Sequence, residues 1–253
     1  MELQTEKINN IKIIPLHKDV VNKDTIPEPL PNFKSRSNFI MSIIACTGSG
    51  KSVLISNLIR IYYKNIFDKI YFCSSNISDD NKIYDNAYSS IIFDETRMFQ
   101  TIDNDVANYI KLDIENDEEF INDKPNFKAL LIIDDLISEV ANKRNKDLIK
   151  FILKSRHLNC SIIIVSHKYN LLPAIIRNNL THIILFRTKS NLELDAMYRG
   201  IIDIDYETFI KIYHDATGEN HSFLYSVLNK NPQLYYKNFD TKYITDQPKE
   251  KIK

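Results

Sequence analysis

The segment SIIACTGSGKSVLISNLI, residues 42–59, constrains the fold of this chain more than any other. An apolar run suited to a buried strand leads into a loop that holds two of the chain's four glycines, Gly48 and Gly50. A helix-period pattern follows, with Leu54, Leu58, Ile61 and Tyr62 on one face. Strand, loop and helix in that order aim several backbone N–H groups at one point, at a helix N-terminus whose dipole favours an anion. The two glycines let the backbone curl and approach its ligand closely. Thr47, Gly48, Ser49, Gly50, Lys51 and Ser52 are therefore the candidate nucleotide-binding residues. Lys51 is placed to reach the β- and γ-phosphates and Ser52 to set its hydroxyl on Mg²⁺, so ATP and Mg²⁺ are the expected ligands. Ala45 stands where the pattern G-x-x-x-x-G-K-[ST] starts with glycine; it is small enough for the loop to survive.

Two further strand ends carry chemistry. In ALLIIDDL, residues 129–136, an apolar strand closes on two carboxylates. Asp134 is expected to support Mg²⁺, and Asp135 to polarise the attacking water as a general base. The other reading of Asp135 is the N-cap of a helix over residues 136–153. In SIIIV, residues 161–165, a buried strand ends at Ser166 and His167. Either can contact a γ-phosphate, and an imidazole can donate to phosphate or to water. A solvated histidine at a strand end is the competing reading of His167. Between these strands lies Lys154-Ser155-Arg156-His157. Arg156 by itself reads as a charge complementing a helix C-terminus.

The remaining chain alternates strands and helices. Strands are predicted at 39–46, 69–73, 90–93, 129–133, 161–165 and 182–186, and helices at 51–66, 105–120, 136–153, 173–179, 191–199 and 206–213. A hairpin is predicted over 221–228 and 233–239, joined by 229–232. Short apolar strands separated by helices imply an α/β fold, a mostly parallel sheet sandwiched by helices. The strands at 69–73 and 90–93, between the two motif strands, leave room for the enlarged sheet of a RecA-like (ASCE) P-loop NTPase, here with a C-terminal β-hairpin. Residues 1–37, with a proline cluster at Pro27, Pro29 and Pro31, read as an arm. The ATPase domain is expected over 38–243 and a flexible tail over 244–253.

Charge excludes one simple route to nucleic acid. Lys and Arg total 33 and Asp and Glu total 33, so no global positive field draws in DNA, and any DNA-binding surface must be local. Lys143, Arg144 and Lys146 are the candidates, against the plainer reading of a solvated helix face. Cys46, Cys73 and Cys160 are far apart and show no zinc-like spacing, which fits reduced thiols inside a cell. No apolar run approaches the ~20 residues that span a bilayer.

The stretch SRHLNCSIIIVSHKYNLLPAIIRNNLTHIILFR, residues 155–187, resembles the FtsK–HerA superfamily, and within it the genome-packaging ATPases of poxviruses, giant viruses and virophages. In that group a basic pair, Arg156-His157 here, precedes a strand with a polar end. A helix then carries a signature matched by Leu172, Pro173, Ile176, Arg177, Asn178 and Asn179. The resemblance covers about residues 27–200 and implies ATP-driven translocation of double-stranded DNA into a capsid. It implies a homo-oligomeric ring, commonly hexameric, a capsid or portal partner, no membrane, and a location in host cytoplasm, viral factory or virion. It gives Lys51, Asp135, Arg156 and His167 catalytic roles, with Arg156 a finger reaching a neighbouring subunit. His167 departs from the usual glutamine. Competing readings are a cellular-type translocase or helicase of the same superfamily, and a slow ATP-binding assembly factor.

Overall fold

A computed structural model describes residues 3–9, 29–31, 38–75, 77 and 97–245. The apolar run at 11–16, Pro27 and the strand predicted at 90–93 lie outside the described residues. Among the described residues ten strands form one sheet: β1 (Gln4–Lys7), β2 (Ile40–Ile44), β3 (Lys69–Ser74), β4 (Met98–Phe99), β5 (Ala129–Asp134), β6 (Cys160–Ser166), β7 (His182–Phe186), β8 (Phe223–Val227), β9 (Leu234–Lys237) and β10 (Thr241–Ile244). Their order is β1-β10-β9-β8-β7-β2-β6-β5-β3-β4. From β7 to β4 neighbouring strands run parallel. From β7 to β1 they run antiparallel.

The parallel half follows directly from its side chains. β5, β6 and β7 are buried along their whole length, as strands covered on both faces must be. Successive residues go to opposite faces. In β6, Ile162 and Ile164 join a core with Leu131, Ile133, Ile183 and Leu185. Ile163 and Val165 join a second core with Met41, Ile43, Ile132 and Ile184. The first core is closed by α2 (Asn104–Glu115), α3 (Glu118–Asp123), α4 (Ile137–Ala141), α5 (Lys146–Lys154), α6 (Ala174–Arg177), α7 (Asn191–Ile201) and α8 (Tyr206–Ala216). The second is closed by α1 (Lys51–Asn57), which widens into a π-helical turn over Leu58–Tyr62.

Four details differ from the sequence expectations. The strand that separates β2 from β5 is β6, which comes later in the chain, while β3 pairs on the far side of β5. Sequence order between the two motifs does not set sheet order, because each parallel crossover is free to land on either side. The helix predicted over 51–66 leaves α geometry after Asn57, whose side-chain amide donates to the Val53 carbonyl at 2.8 Å; Tyr63 N–H then bonds Leu58 O, five residues back. The acidic helix over 105–120 is split by Asp117, whose carboxylate accepts from Glu119 and Phe120 N–H and starts α3 as an N-cap. The helix over 136–153 is broken at the turn 142–145, where Asn142 Oδ1 accepts Arg144 N–H and Asn145 Nδ2 donates to Glu139 O.

The C-terminal hairpin, β8 and β9, continues into β10 and then into β1 from the chain's start. All four residues of β1 are exposed. In the lead-in, Leu30 is buried in the α1-side core and Tyr225 OH donates to Pro29 O at 3.3 Å.

Candidate nucleotide site

The parallel register brings the motif ends to one edge of the sheet. Ile44 is level with Ser166 of β6 and with Leu185 of β7, and Asp134 of β5 is level with Val165. The chain leaves β2 at Ala45, whose N–H bonds Ser166 O at 3.0 Å. It then folds into a loop closed by Ser49 N–H to Cys46 O at 3.2 Å, and α1 begins with Leu54 N–H to Gly50 O at 3.0 Å. Gly48 and Gly50 have φ of 79° and 95°, the left-handed region where a side chain is strained. Ala45, at the position of the missing glycine, is buried and paired, so the loop closes with alanine there.

Lys51 Nζ lies 2.5 Å from Asp135 Oδ2, with both side chains largely buried. Asp135 has φ 57°, and α4 has Leu136 at its N-cap with no side-chain cap hydrogen bond, so the carboxylate of Asp135 does not serve as a helix cap. It turns to Lys51 and to His167, whose Nε2 is 3.0 Å from Asp135 Oδ1. The other ring nitrogen, Nδ1, is 3.2 Å from the Ala45 carbonyl, which can only accept, so Nδ1 carries a proton. Nε2 is left facing Asp135 Oδ1, an ion pair only when the ring is protonated there as well. Of the two residues at the end of β6, only His167 joins this cluster. Ser166 is buried and its hydroxyl is engaged with Lys168, donating to its carbonyl at 2.8 Å.

Asp134 is the most buried carboxylate of the group, 3% exposed, and among the described residues its Oδ1 has no hydrogen-bond partner. Burial, and then the charge of Asp135, push its carboxyl up to about 6, against the opposing pull of Lys51 and His167. A desolvated carboxylate with an orphaned oxygen is a group that a cation would satisfy. Among the described residues no cluster of three or more His, Cys, Asp or Glu could hold a metal on its own, so Asp134 fits a cation shared with a ligand's phosphates and not a closed protein cage.

Arg156 is not brought to this cluster. It lies in a 3₁₀ turn, Ser155–Leu158, at the opposite end of β6, and seven residues of strand put roughly 20 Å between the two ends. The loop after β6 is held by Glu193, which the sequence reading did not single out, and by residues of the signature stretch. The carboxylate of Glu193, buried on α7, accepts from Tyr169 N–H at 2.9 Å and from Asn170 Nδ2 at 3.2 Å. Arg177 stacks its guanidinium over the Tyr169 ring at 5.0 Å. Leu172 and Ile176 are buried and Asn179 Nδ2 donates to Ile175 O, so the signature stretch builds the support of the His167 loop. A second unforeseen residue, His221, sits in the turn before β8 with Nδ1 3.2 Å from Ser49 O. Sequence offers no signal for a contact 172 residues apart. Lys143, Arg144 and Lys146 are exposed in and beside the α4–α5 turn. No described helix is long and apolar enough to cross a membrane.

A glycine loop between β2 and α1, a carboxylate pair at the end of β5 and a strand inserted between the two define a P-loop nucleoside triphosphatase of the RecA-like class. The chain belongs to the poxvirus A32 protein family, whose model matches residues 32–227. The resemblance read from the sequence therefore holds. Among solved structures, the genome packaging NTPase B204 from Sulfolobus turreted icosahedral virus 2 in complex with AMPPCP aligns with a TM-score of 0.58 and 17% identity, covering 83% of this chain and 99% of that one. The same protein in complex with AMP gives 0.58 and 18%, covering 79% and 98%. The DNA-packaging ATPase B204 from Sulfolobus turreted icosahedral virus gives 0.56 and 20%, covering 79% and 97%. A search of curated proteins gives no match.

Proposed function

We propose that this chain is an ATP-driven motor that moves double-stranded DNA into a viral capsid. The observation that carries the reading is the cluster at the sheet edge, with Lys51, Asp135 and His167 in contact beside an unsatisfied Asp134, in a chain of the A32 family. ATP would be held by the backbone of residues 47–52. Ser52 and Asp134 would hold Mg²⁺, which neutralises charge on the phosphate oxygens.

Lys51 leaves Asp135 to meet the β- and γ-phosphates. That frees Asp135 Oδ2 to take a proton from the attacking water. His167 stands against the other oxygen, Oδ1, and limits how the carboxylate turns. Arg156, too distant to serve its own loop, acts on the site of an adjacent copy, stabilising charge on the departing phosphoryl group. A closed ring, hexameric in our reading, satisfies that geometry and gathers the exposed Lys143, Arg144 and Lys146 into a positive surface for DNA. The ATPase domain spans 38–243, between an arm over 1–37 and a tail over 244–253. A capsid or portal protein receives the DNA, in host cytoplasm, viral factory or virion.

The test is steady-state ATP hydrolysis with and without linear double-stranded DNA, beside Lys51→Ala. A Lys51-dependent rate that DNA raises several-fold, with a stimulation that fades steeply as salt rises, is the expected result. A Lys51-dependent rate indifferent to DNA would remove translocation and leave an ATP-binding assembly factor.

A further inference from the structure

The geometry points to His221 as a positioning residue of the nucleotide site, one that holds the phosphate loop from behind and ties it to the C-terminal antiparallel strands. The inference rests on the nucleotide-binding reading of residues 45–52 and assigns a role to the part of the chain that the sequence motifs leave untouched.

Three observations converge. His221 Nδ1 is 3.2 Å from the carbonyl oxygen of Ser49, and since that oxygen only accepts, the imidazole donates. The ring also fills the space behind Gly50: the three atoms nearest to a Cβ built on Gly50 all belong to His221, the first at 3.1 Å. Loop and histidine are thus in close contact: the φ of 95° calls for glycine at position 50, and a side chain there would also press on the His221 ring. Third, His221 itself has φ 62°, a left-handed backbone that is costly for a side chain of this kind. Its surroundings impose that conformation. Ser222 Oγ donates to Glu219 O at 2.8 Å and accepts Glu219 N–H at 3.1 Å. Lys237 Nζ of β9 pairs with Glu219 Oε1 at 2.8 Å. Asn238 Oδ1 accepts Phe223 N–H at 3.2 Å. The turn before β8 is therefore locked to the strand beyond it, and it delivers an imidazole to one carbonyl of the loop.

The Ser49 carbonyl is the back of a peptide unit whose other end supplies the N–H of Gly50. Fixing that carbonyl fixes the direction in which the N–H points. A loop that must present several N–H groups to one phosphate loses affinity when one peptide unit rotates. His221 acts through Ser49 and Gly50, not on the reacting atoms, so it affects how well nucleotide is held more than how fast it is cleaved.

The experiment uses the full chain and four proteins: wild type, Lys51→Ala, His221→Gly and His221→Asn. Glycine removes the donor but relieves the left-handed backbone, so H221G folds at least as stably as wild type. Asparagine tolerates the same backbone and offers an amide donor. Binding of mant-ATP, KM and kcat for ATP, and the urea unfolding midpoint are measured for each. H221G is expected to weaken binding and raise KM about three- to ten-fold, the worth of one neutral hydrogen bond, with kcat changed less than about two-fold and an unfolding midpoint no lower than wild type. H221N is expected to recover most of the loss. H221G that binds and turns over like wild type, or H221N no better than H221G, overturns the proposal while leaving a Lys51-dependent site in place. Wild-type binding that Lys51→Ala does not weaken overturns the nucleotide-site reading and this inference with it.

Discussion

Lys51 and Asp135 hold each other at 2.5 Å beside the glycine loop, so the lysine we propose for phosphate and the carboxylate we propose for water are each occupied by the other. On that proposal, nucleotide parts them before either acts. Asp135→Asn keeps the shape and removes the charge. We expect D135N to bind a non-hydrolysable ATP analogue as tightly as wild type or up to about five-fold more tightly, because a partly exposed ion pair no longer competes. Hydrolysis should fall about 100-fold or more, the usual loss with a general base. Weaker binding by D135N would show that the pair supports the site instead of competing with it.

The position of Arg156 predicts complementation. With roughly 20 Å of strand between Arg156 and its own loop, R156A and K51A would damage different halves of a shared site in the ring we propose. Each alone should be inactive. Mixed and reassembled in equal amounts, about a quarter of interfaces pair an intact Lys51 with an intact Arg156, and hydrolysis should return to about that fraction of wild type. A mixture as inactive as its parts would place Arg156 outside the reaction.

Glu193 predicts a coupled loss of stability and rate. Its carboxylate takes the Tyr169 N–H, a group with no water to turn to. Glu193→Ala should cost about 1–3 kcal/mol in urea unfolding, and lower hydrolysis through the loop that carries His167. Glu193→Gln keeps an acceptor and should lose less than half as much. Equal losses in both variants would mean that charge, not the hydrogen bond, is what Glu193 contributes.

His182 predicts how acid destabilises the fold. It is buried at the start of β7, stacked flat against Tyr225 at 5.9 Å, and burial, then the charge of Lys230, hold its imidazole down at about 3. Unfolded, it titrates near its ordinary value of about 6.5. Between those values the unfolded chain binds a proton that the folded chain does not. The stabilisation is therefore complete above about pH 6.5 and is lost as pH falls toward 3. At pH 4 the loss amounts to roughly 3 kcal/mol. His182→Phe should flatten the decline of the urea midpoint between pH 7 and pH 4; parallel slopes in the two proteins would assign the acid lability elsewhere.

Sequence made the chemistry of this chain more legible than its wiring. β5, β6 and β7 were readable because a strand covered on both faces must be apolar throughout, and their polar ends mark the sheet edge where a ligand can sit. Lys51, Asp134, Asp135 and His167 follow from that edge. The neighbours of each strand did not follow, since nothing in the order of segments says that β6 lies between β2 and β5. Helix breaks at Asp117 and Asn142–Asn145 were hidden because an asparagine or aspartate serves a helix surface and a cap alike until its side-chain partner is known. Glu193 and His221 act through backbone groups of distant loops, and a backbone N–H or carbonyl leaves no trace in the residue type that carries it.

β6 has a last consequence. It is laced to β2 along one side and to β5 along the other, and it ends in His167 at one tip and runs from the Arg156 turn at the other. A strand hydrogen-bonded in register on both flanks is stiff along its length. In the ring we propose, that strand would join the loop of one copy to the arginine offered to the next. The timing of successive hydrolysis events would then be a property of one seven-residue shaft.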